Sequence, residues 1–434
     1  MRVVLVALAA FAAAAALAAC GGSESKPVSS APPAHPLTAS GCSPVTYGGP
    51  GRPQFLIGAL EPLQGITKDH GVQNAQALKL ILAQQGWKAG PYRIGLQICD
   101  ETTATSDYSS PERCAATARA FARNRSVLAI VGPTASSCAR AVTIALSKAN
   151  DDAPATVSPS ATYLGLTRAG PGVARGEPAS LYGGGPRTFV RVVPADDVQA
   201  AAAASYMKKH AIRRAYALAD VSAYGEGLGD GFAFAARRLG LVVGGSASWS
   251  EDAKDYRQLA ARVARVRPDA VFIAGYAFGS APQLISDLRA ALPDAQLIGT
   301  DGMAPNVIAE GAGDAAEGFL NTIAVVPARA LPAGGRAFAD QFRRRYTQLP
   351  CCFSVHTAQA GEMVLKAIAD SGASRAKVRN ALFAAHIEHG LIGDFGIDRF
   401  GDTTLMRIGL YRIKDGQNEF EGSISPPASL LARR

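Results

Sequence analysis

From Gln54 onward, short apolar runs alternate with segments of helical period, and the alternation runs through the chain twice. "QFLIGAL" (54–60), "YRIGLQIC" (92–99), "VLAIVGP" (127–133) and "PATVSPS" (154–160) read as strands. The helical segments between them are "GVQNAQALKLILAQQG", "SPERCAATARAFAR", opened by Ser-Pro, and "SCARAVTIALSKA". A Gly/Pro-rich stretch (168–187) and "TFVRVVPADD" (188–197) follow, and then the order restarts. Helices "DVQAAAAASYMKKH", "GEGLGDGFAFAARRLG", "DYRQLAARVARVRP" and "APQLISDLRAAL" alternate with strands "RAYALAD", "LVVGGSASW", "DAVFIAGY" and "AQLIGTDG". Uninterrupted apolar strands between helices belong to a parallel sheet buried on both faces. The chain is therefore read as α/β, a doubly wound sheet built twice, and its length suits two lobes rather than one small core.

In open α/β sheets a ligand lies beyond the carboxyl ends of the strands. Those ends are "GALEPLQG" (58–65), "ICDE" (98–101), "GPTASS" (132–137), "SPSAT" (158–162), "ADVSAYGEG" (219–227), "AGYAFGS" (274–280) and "GTDG" (299–302). Small hydroxyls, glycines, two tyrosines and a few acids dominate them. GxSxG and the phosphate loop GxxxxGK[ST] are absent, and "GEGLGDG" (225–231) fails the GxGxxG register. The ends predict a protein that holds a small polar molecule without reacting with it. No enzyme activity and no cofactor are expected.

Arg2 and the uncharged run Val3–Leu17 precede "LAAC" (17–20), a secretory signal pattern too short for a spanning helix of roughly 20 apolar residues. "LAAC" resembles the bacterial lipobox, which implies a signal peptide over 1–19 and a diacylated Cys20 at the outer face of the cell membrane. Residues 20–53, rich in Ser, Pro, Ala and Gly, read as a flexible tether. Cys42, Cys99, Cys114, Cys138, Cys351 and Cys352 remain, an even set that predicts disulfides in an oxidising compartment. Cys114 with Cys138 is the favoured pair, because one opens a helix and the other follows the neighbouring strand. The formal net charge is +9, yet no Lys/Arg block interleaves with aromatics beyond "FRRRY" (342–346), so nucleic acid is excluded as a partner. His386-Ile387-Glu388-His389 lacks zinc-ligand spacing, and no metal is expected.

Taken in order, "GPTASS", "SPSAT", "P-x-D-D-x-Q" (194–199), "YGEGL" (224–228), "AGY" (274–276) and "GTDG" resemble the leucine/isoleucine/valine-binding proteins of ABC importers. The resemblance covers nearly all of residues 54–425. It implies the type I periplasmic-binding fold, two Rossmann-like lobes joined by hinge strands near Arg191–Ala195, Ile323–Pro327 and Leu391–Asp394. The N-terminal lobe would then be 54–192 plus 325–392, the C-terminal lobe 193–324 plus 393–425, and 426–434 a tail. It also implies an amino-acid site in the cleft. Ser136, at a helix N-terminus, would donate its hydroxyl to the ligand carboxylate, and Thr162 would touch both carboxylate and ammonium. Ser160 would contribute backbone, and Ala161 between them counts among the ligand-binding residues. Tyr224 and Tyr276 would close over the ligand, and Asp301 would pair with its α-ammonium. His70 stands where the family has Tyr, and Phe353 matches an aromatic wall of the side-chain pocket. This chain departs from the pattern in Asp301 (the family has Glu), in His70, in Cys351-Cys352, and in the 168–187 insertion, expected on the first lobe near the cleft rim. The implied function is that of a monomeric, lipid-anchored protein delivering a branched-chain or similar amino acid to permease subunits. A ligand-sensing receptor component, or a binder of an amide, urea or an aromatic acid, is the alternative on the same fold.

Overall fold

The first apolar run, β1 (Phe55–Glu61), lies inside a sheet because it has no polar face: every residue from Leu56 to Glu61 is buried. The computed structural model describes residues 32–39, 41–104, 108–149, 152–277 and 279–432, so the signal segment and Cys20 fall outside the described residues. Along the first half run α1 (Lys68–Gln84), β2 (Lys88–Ala89), β3 (Tyr92–Asp100), α2 (Pro111–Arg123), β4 (Val127–Val131) and α3 (Ser136–Ser147). β5 (Ala155–Ser158), α4 (Ala179–Tyr182) and β6 (Phe189–Arg191) complete it. The strands form one sheet in the order β2-β3-β1-β4-β5-β6, parallel except for the β2–β3 hairpin. α2 begins where the sequence signals it: Ser110 Oγ accepts from Arg113 N at 3.3 Å and Pro111 fills the first position. Such a cap contributes about 1 kcal/mol.

The second half repeats the plan with α5 (Asp196–Lys209), β7 (Arg214–Asp220), α6 (Ala223–Arg238), β8 (Val242–Trp249), α7 (Arg257–Arg265), β9 (Ala270–Ala274) and α8 (Ala281–Ala291). β10 (Gln296–Gly299), α9 (Pro305–Ala312) and β11 (Leu320–Ile323) follow. The chain then adds α10 (Ala333–Tyr346), α11 (Ser354–Ser371) and α12 (Arg375–Phe383) to the first lobe, where α11 packs on α1. After β12 (His386–Ile387) and β13 (Phe395–Gly396), it returns to the second sheet as β14 (Ile408–Lys414) and β15 (Gln417–Ile424). That sheet runs β15-β14-β11-β10-β9-β7-β8, with β14 and β15 antiparallel. β8, expected to be buried, is the edge of its sheet, so its residues alternate between exposed and half-buried until Trp249, which is buried. No helix among the described residues is long and apolar enough to cross a membrane.

Core membership locates the crossings between lobes. Val192 packs in the first lobe's core and Val193 in the second's; Ala324 belongs to the second and Val326 to the first. The third crossing lies later than Leu391–Asp394. Phe395 is still in the first core, and Leu405 packs there while its neighbour Met406 packs on the second. The short β12–β13 pair and the Arg191 N bond to Gly401 O (2.9 Å) hold 395–401 on the first lobe.

Segments read as loose are held. Within the expected tether, Ser43 N and Thr46 N donate to Ile98 O (2.7 Å) and Leu96 O (2.8 Å), and Cys42 is disulfide-bonded to Cys99 on β3. A Ser/Pro/Gly composition prevents a core, but it does not prevent backbone bonding to a neighbouring strand. The expected tail is also anchored, since Leu430 and Leu431 enter the second lobe's core and Ala432 N donates to Asp197 Oδ2 (3.1 Å). The 168–187 insertion leaves the first lobe to touch the second: Gly172 lies so close to α6 that a Cβ there would fall 2.6 Å from Gly227 Cα. Cys114 is bonded to Cys138, the pairing favoured from the sequence.

Candidate ligand-binding site

A cavity of about 330 Å³ lies between the lobes, against the carboxyl ends of their strands. That is within the range that accommodates a small organic ligand. On the first lobe, β4 passes into α3 through a turn that only glycine can make. Gly132 has φ +101°, and a Cβ there would sit 2.4 Å from Leu60 O. Ser136 opens α3 and lines the cavity. Its Oγ accepts from Tyr163 N at 3.2 Å, so its own proton remains to donate into the cleft. The first-turn amides of a helix have no intrahelical acceptor and favour an anion there.

"VSPSAT" closes on itself through Ser158, whose hydroxyl donates to Pro133 O (2.7 Å) and accepts from Ser160 N (3.3 Å) and Ala161 N (2.9 Å). The amide of Ser160, expected to contribute backbone to the site, is thus bonded to Ser158, as is that of Ala161. Ala161 does not line the cavity, and its carbonyl accepts from Arg191 (3.1 Å). Ser160 and Thr162 do line it with their side chains, and Ser160 Oγ donates to Thr134 O at 2.9 Å. The small hydroxyls therefore serve two ends: Ser158 shapes the turn, and its neighbours face the cleft.

The facing wall is organised by Asp220 at the end of β7. Its Oδ1 accepts from Ser222 N (2.9 Å) and its Oδ2 from Tyr276 N (2.9 Å); Ser222 Oγ in turn caps α6 through Gly225 N (3.0 Å). Tyr224 and Tyr276 are thereby stacked with ring centroids 4.7 Å apart. Tyr224 Oη donates to Asp301 Oδ1 (3.0 Å) and accepts from Gly302 N (3.0 Å). Burial raises the Asp301 carboxyl above its ordinary value, opposed by bonds from Gln199 and Tyr224. His70 on α1 and Phe353, just before α11, complete the lining among the residues singled out from sequence. Burial lowers the His70 pKa against the opposing charge of Asp69.

Other lining residues lie outside the set expected to contact the ligand. Tyr108, in the loop before α2, packs against Tyr276 of the opposite lobe with ring centroids 4.2 Å apart and planes tilted by 40°. Cys351, Cys352, Tyr411 and Asn418 come from distant parts of the chain. Behind the α3 end lie two buried acids, both in strand ends that the sequence had marked. Glu61 Oε2 accepts from Asn74 Nδ2 and Thr134 Oγ1 (each 2.9 Å), and both donors line the cavity. Glu101 takes Thr134 N (3.0 Å) and Ala135 N (3.1 Å). Burial pushes Glu61 up to about 8 against the bonds from Asn74 and Thr134, and burial followed by the charge of Glu61 raises Glu101. A protonated Glu61 places no second negative charge beneath an anion at the α3 end. Because its folded pKa is raised, its contribution to stability is complete below pH ~4.3 and is lost as pH rises to about 8. Glu61→Gln is therefore expected to flatten the fall in urea midpoint between pH 5 and about 8. An unchanged pH dependence in the variant would show that Glu61 is already ionised.

A family model described as "Periplasmic binding protein" matches residues 55–418, which spans both lobes and all the residues that line the cavity. The chain belongs to that family. A leucine binding protein from Thermotoga maritima superposes on this periplasmic binding protein with a TM-score of 0.72 at 23% identity, covering 86% of this chain and 99% of that one. A solute binding protein from R. palustris, in complex with benzoate, gives 0.68 at 22% identity over 86% and 96%. A branched-chain amino acid transporter substrate binding protein from Streptococcus pneumoniae, in complex with isoleucine, gives 0.68 at 18% over 85% and 98%. A search of curated proteins finds no match. The likeness to these structures carries the fold: two α/β lobes of type I periplasmic-binding architecture. As a periplasmic binding protein, the chain is a binder and not an enzyme.

Proposed function

We propose that this periplasmic binding protein is an extracytoplasmic lipoprotein that captures an amino acid, branched-chain or similar, between its lobes and hands it to an ABC permease. The observation that carries the reading is the opposition of two poles across one cavity. Ser136 at the α3 end faces the cleft from one lobe, with Thr162 beside it, and Asp301 lines it from the other. A carboxylate suits the first and an ammonium the second. Each charge-assisted bond contributes on the order of 1.5–3 kcal/mol, enough with an apolar pocket for micromolar affinity, about −8 kcal/mol. The similar leucine binding protein from Thermotoga maritima and the isoleucine complex from Streptococcus pneumoniae support the same ligand class.

A second reading is an aromatic acid. The clustered rings of Tyr108, Tyr276 and Tyr224 favour it, since a flat ring can pack against them, and one similar structure holds benzoate. A thermal-shift panel of the protein amino acids and hydroxylated benzoates separates the two. Binding only to the folded state at 100 Kd adds about 2.7 kcal/mol, a clear rise in Tm. A rise with branched-chain amino acids and none with benzoates is the expected result; the reverse would reject the amino-acid reading.

Anchoring rests on "LAAC". Cys20→Ser is expected to move the protein from the membrane fraction to the soluble fraction. Two acyl chains anchor stably where one binds only marginally, so the shift should be nearly complete. Membrane retention of the variant would remove the lipid anchor from the proposal.

A further inference from the structure

Cys351 and Cys352 are neighbours in sequence, and along an extended backbone neighbouring side chains point to opposite sides. Here Cys352 has φ +55°, in the left-handed region that a side chain disfavours. Their Sγ atoms are 2.7 Å apart, with Cys352 donating toward Cys351. Cys351 N donates to Gln73 Oε1 on α1 (2.9 Å), which ties this turn to the first lobe. Both side chains are half-buried and line the interlobe cavity beside Phe353 and Tyr411. The other cysteines of the described chain, Cys42 with Cys99 and Cys114 with Cys138, are already bonded, as expected of a protein that matures where thiols are oxidised.

We propose that Cys351 and Cys352 form a vicinal disulfide, a ring of adjacent cysteines built into the wall of the ligand cavity. Cys351 is the attacking group: the hydrogen bond from Cys352 lowers its pKa, while the same bond raises that of Cys352. Its thiolate attacks one sulfur of an external disulfide, either a small molecule or an oxidoreductase. The S–S bond of that oxidant breaks, leaving a mixed disulfide and a departing thiolate. Cys352 Sγ, losing its proton, then attacks Cys351 Sγ; the mixed bond breaks and the ring bond forms. The oxidant leaves as two thiols, carrying the two electrons and the two protons the cysteines gave up.

A metal is the competing use of these atoms, because a His70 ring nitrogen and both sulfurs lie within 4.8 Å of one another. A tetrahedral zinc with Zn–S of about 2.3 Å holds its sulfurs about 3.8 Å apart. The observed pair is closer than that, and the geometry favours the sulfur–sulfur bond.

The test uses the full chain, exported to an oxidising compartment and purified without reductant. Native and denatured samples are treated with iodoacetamide and digested with trypsin, which releases residues 346–366 as one peptide. The expected peptide is lighter than the dithiol by two hydrogen atoms and takes no label in either sample; after reduction it takes two. Labelling of both cysteines in the denatured sample without reductant would overturn the proposal. So would zinc released by a chelator together with two free thiols. Ligand binding does not enter the readout, so failure of the ring and failure of the proposed function are read separately.

Discussion

Replacing Asp301 with alanine is expected to weaken amino-acid binding by roughly 30-fold to several thousand-fold, the equivalent of about 2–5 kcal/mol. The loss is large because a bound ammonium would keep the cost of leaving water without its partner. It should not come from unfolding. Asp301 begins a short 3₁₀ turn at the end of β10 and accepts from Tyr224 Oη and Gln199, at the cleft wall rather than in a core cluster. The control is the 2-keto acid matching the best amino acid. It lacks the amine, should bind the unmodified protein weakly, and should lose much less on the substitution. Titration calorimetry with both ligands on both proteins decides the matter. Equal losses would mean that Asp301 does not read an amine, and the aromatic-acid reading would then lead.

The second large effect concerns stability. Asp402, on the loop after β13, is buried; its Oδ1 accepts from Arg191 Nε (2.7 Å) and its Oδ2 from Arg168 Nε (2.6 Å). Arg168 also reaches Asp197 in the first turn of α5, so the network ties the insertion to both lobes near the first crossing. Asp402→Ala removes one acceptor from two buried guanidiniums and should cost about 3–5 kcal/mol in urea unfolding at pH 7. The pH dependence carries the signature of the mechanism. Burial alone would raise the Asp402 pKa, but the charges of Arg191 and then Arg168 outweigh it and hold the carboxyl below its ordinary value. A depressed carboxyl contributes stability that is complete above an unfolded pKa of about 3.9 and is lost as pH falls through the folded value. The wild-type protein should lose part of its advantage over the variant below pH ~4. A variant within about 1 kcal/mol of wild type at pH 7 would show that the two arginines find other partners.

Local pattern was enough for much of this. From β1 to β10 the period of apolar residues marked most strands and helices, because a strand buried on both faces and a helix with one apolar face have different sequence periods. Strand ends marked the cleft, because an open α/β sheet exposes them at one edge. That rule located Ser136, Ser160, Thr162, Tyr224, Tyr276 and Asp301, and it placed Glu61 and Glu101 in the right stretches without revealing what they do. The hydroxyls of "VSPSAT" were legible as cleft residues, whereas Ser158 taking the amides of Ser160 and Ala161 was not. That exchange depends on the angle at which the turn meets Pro133.

What only the tertiary structure decided are the pairings between residues far apart in the chain. Tyr108 reaches Tyr276 across the cleft, Asn74 meets Glu61 and Thr134, and Asp402 joins Arg168 and Arg191 over more than 200 positions of sequence. The same holds for residues 42–46 lying along β3 and for Leu430 and Leu431 in the second core, both in segments whose composition signals no structure. Periodicity reports the environment of each residue averaged over its own turn or strand. A hydrogen bond or an ion pair depends on which other segment supplies that environment, and both sheets had to form before these partners could meet.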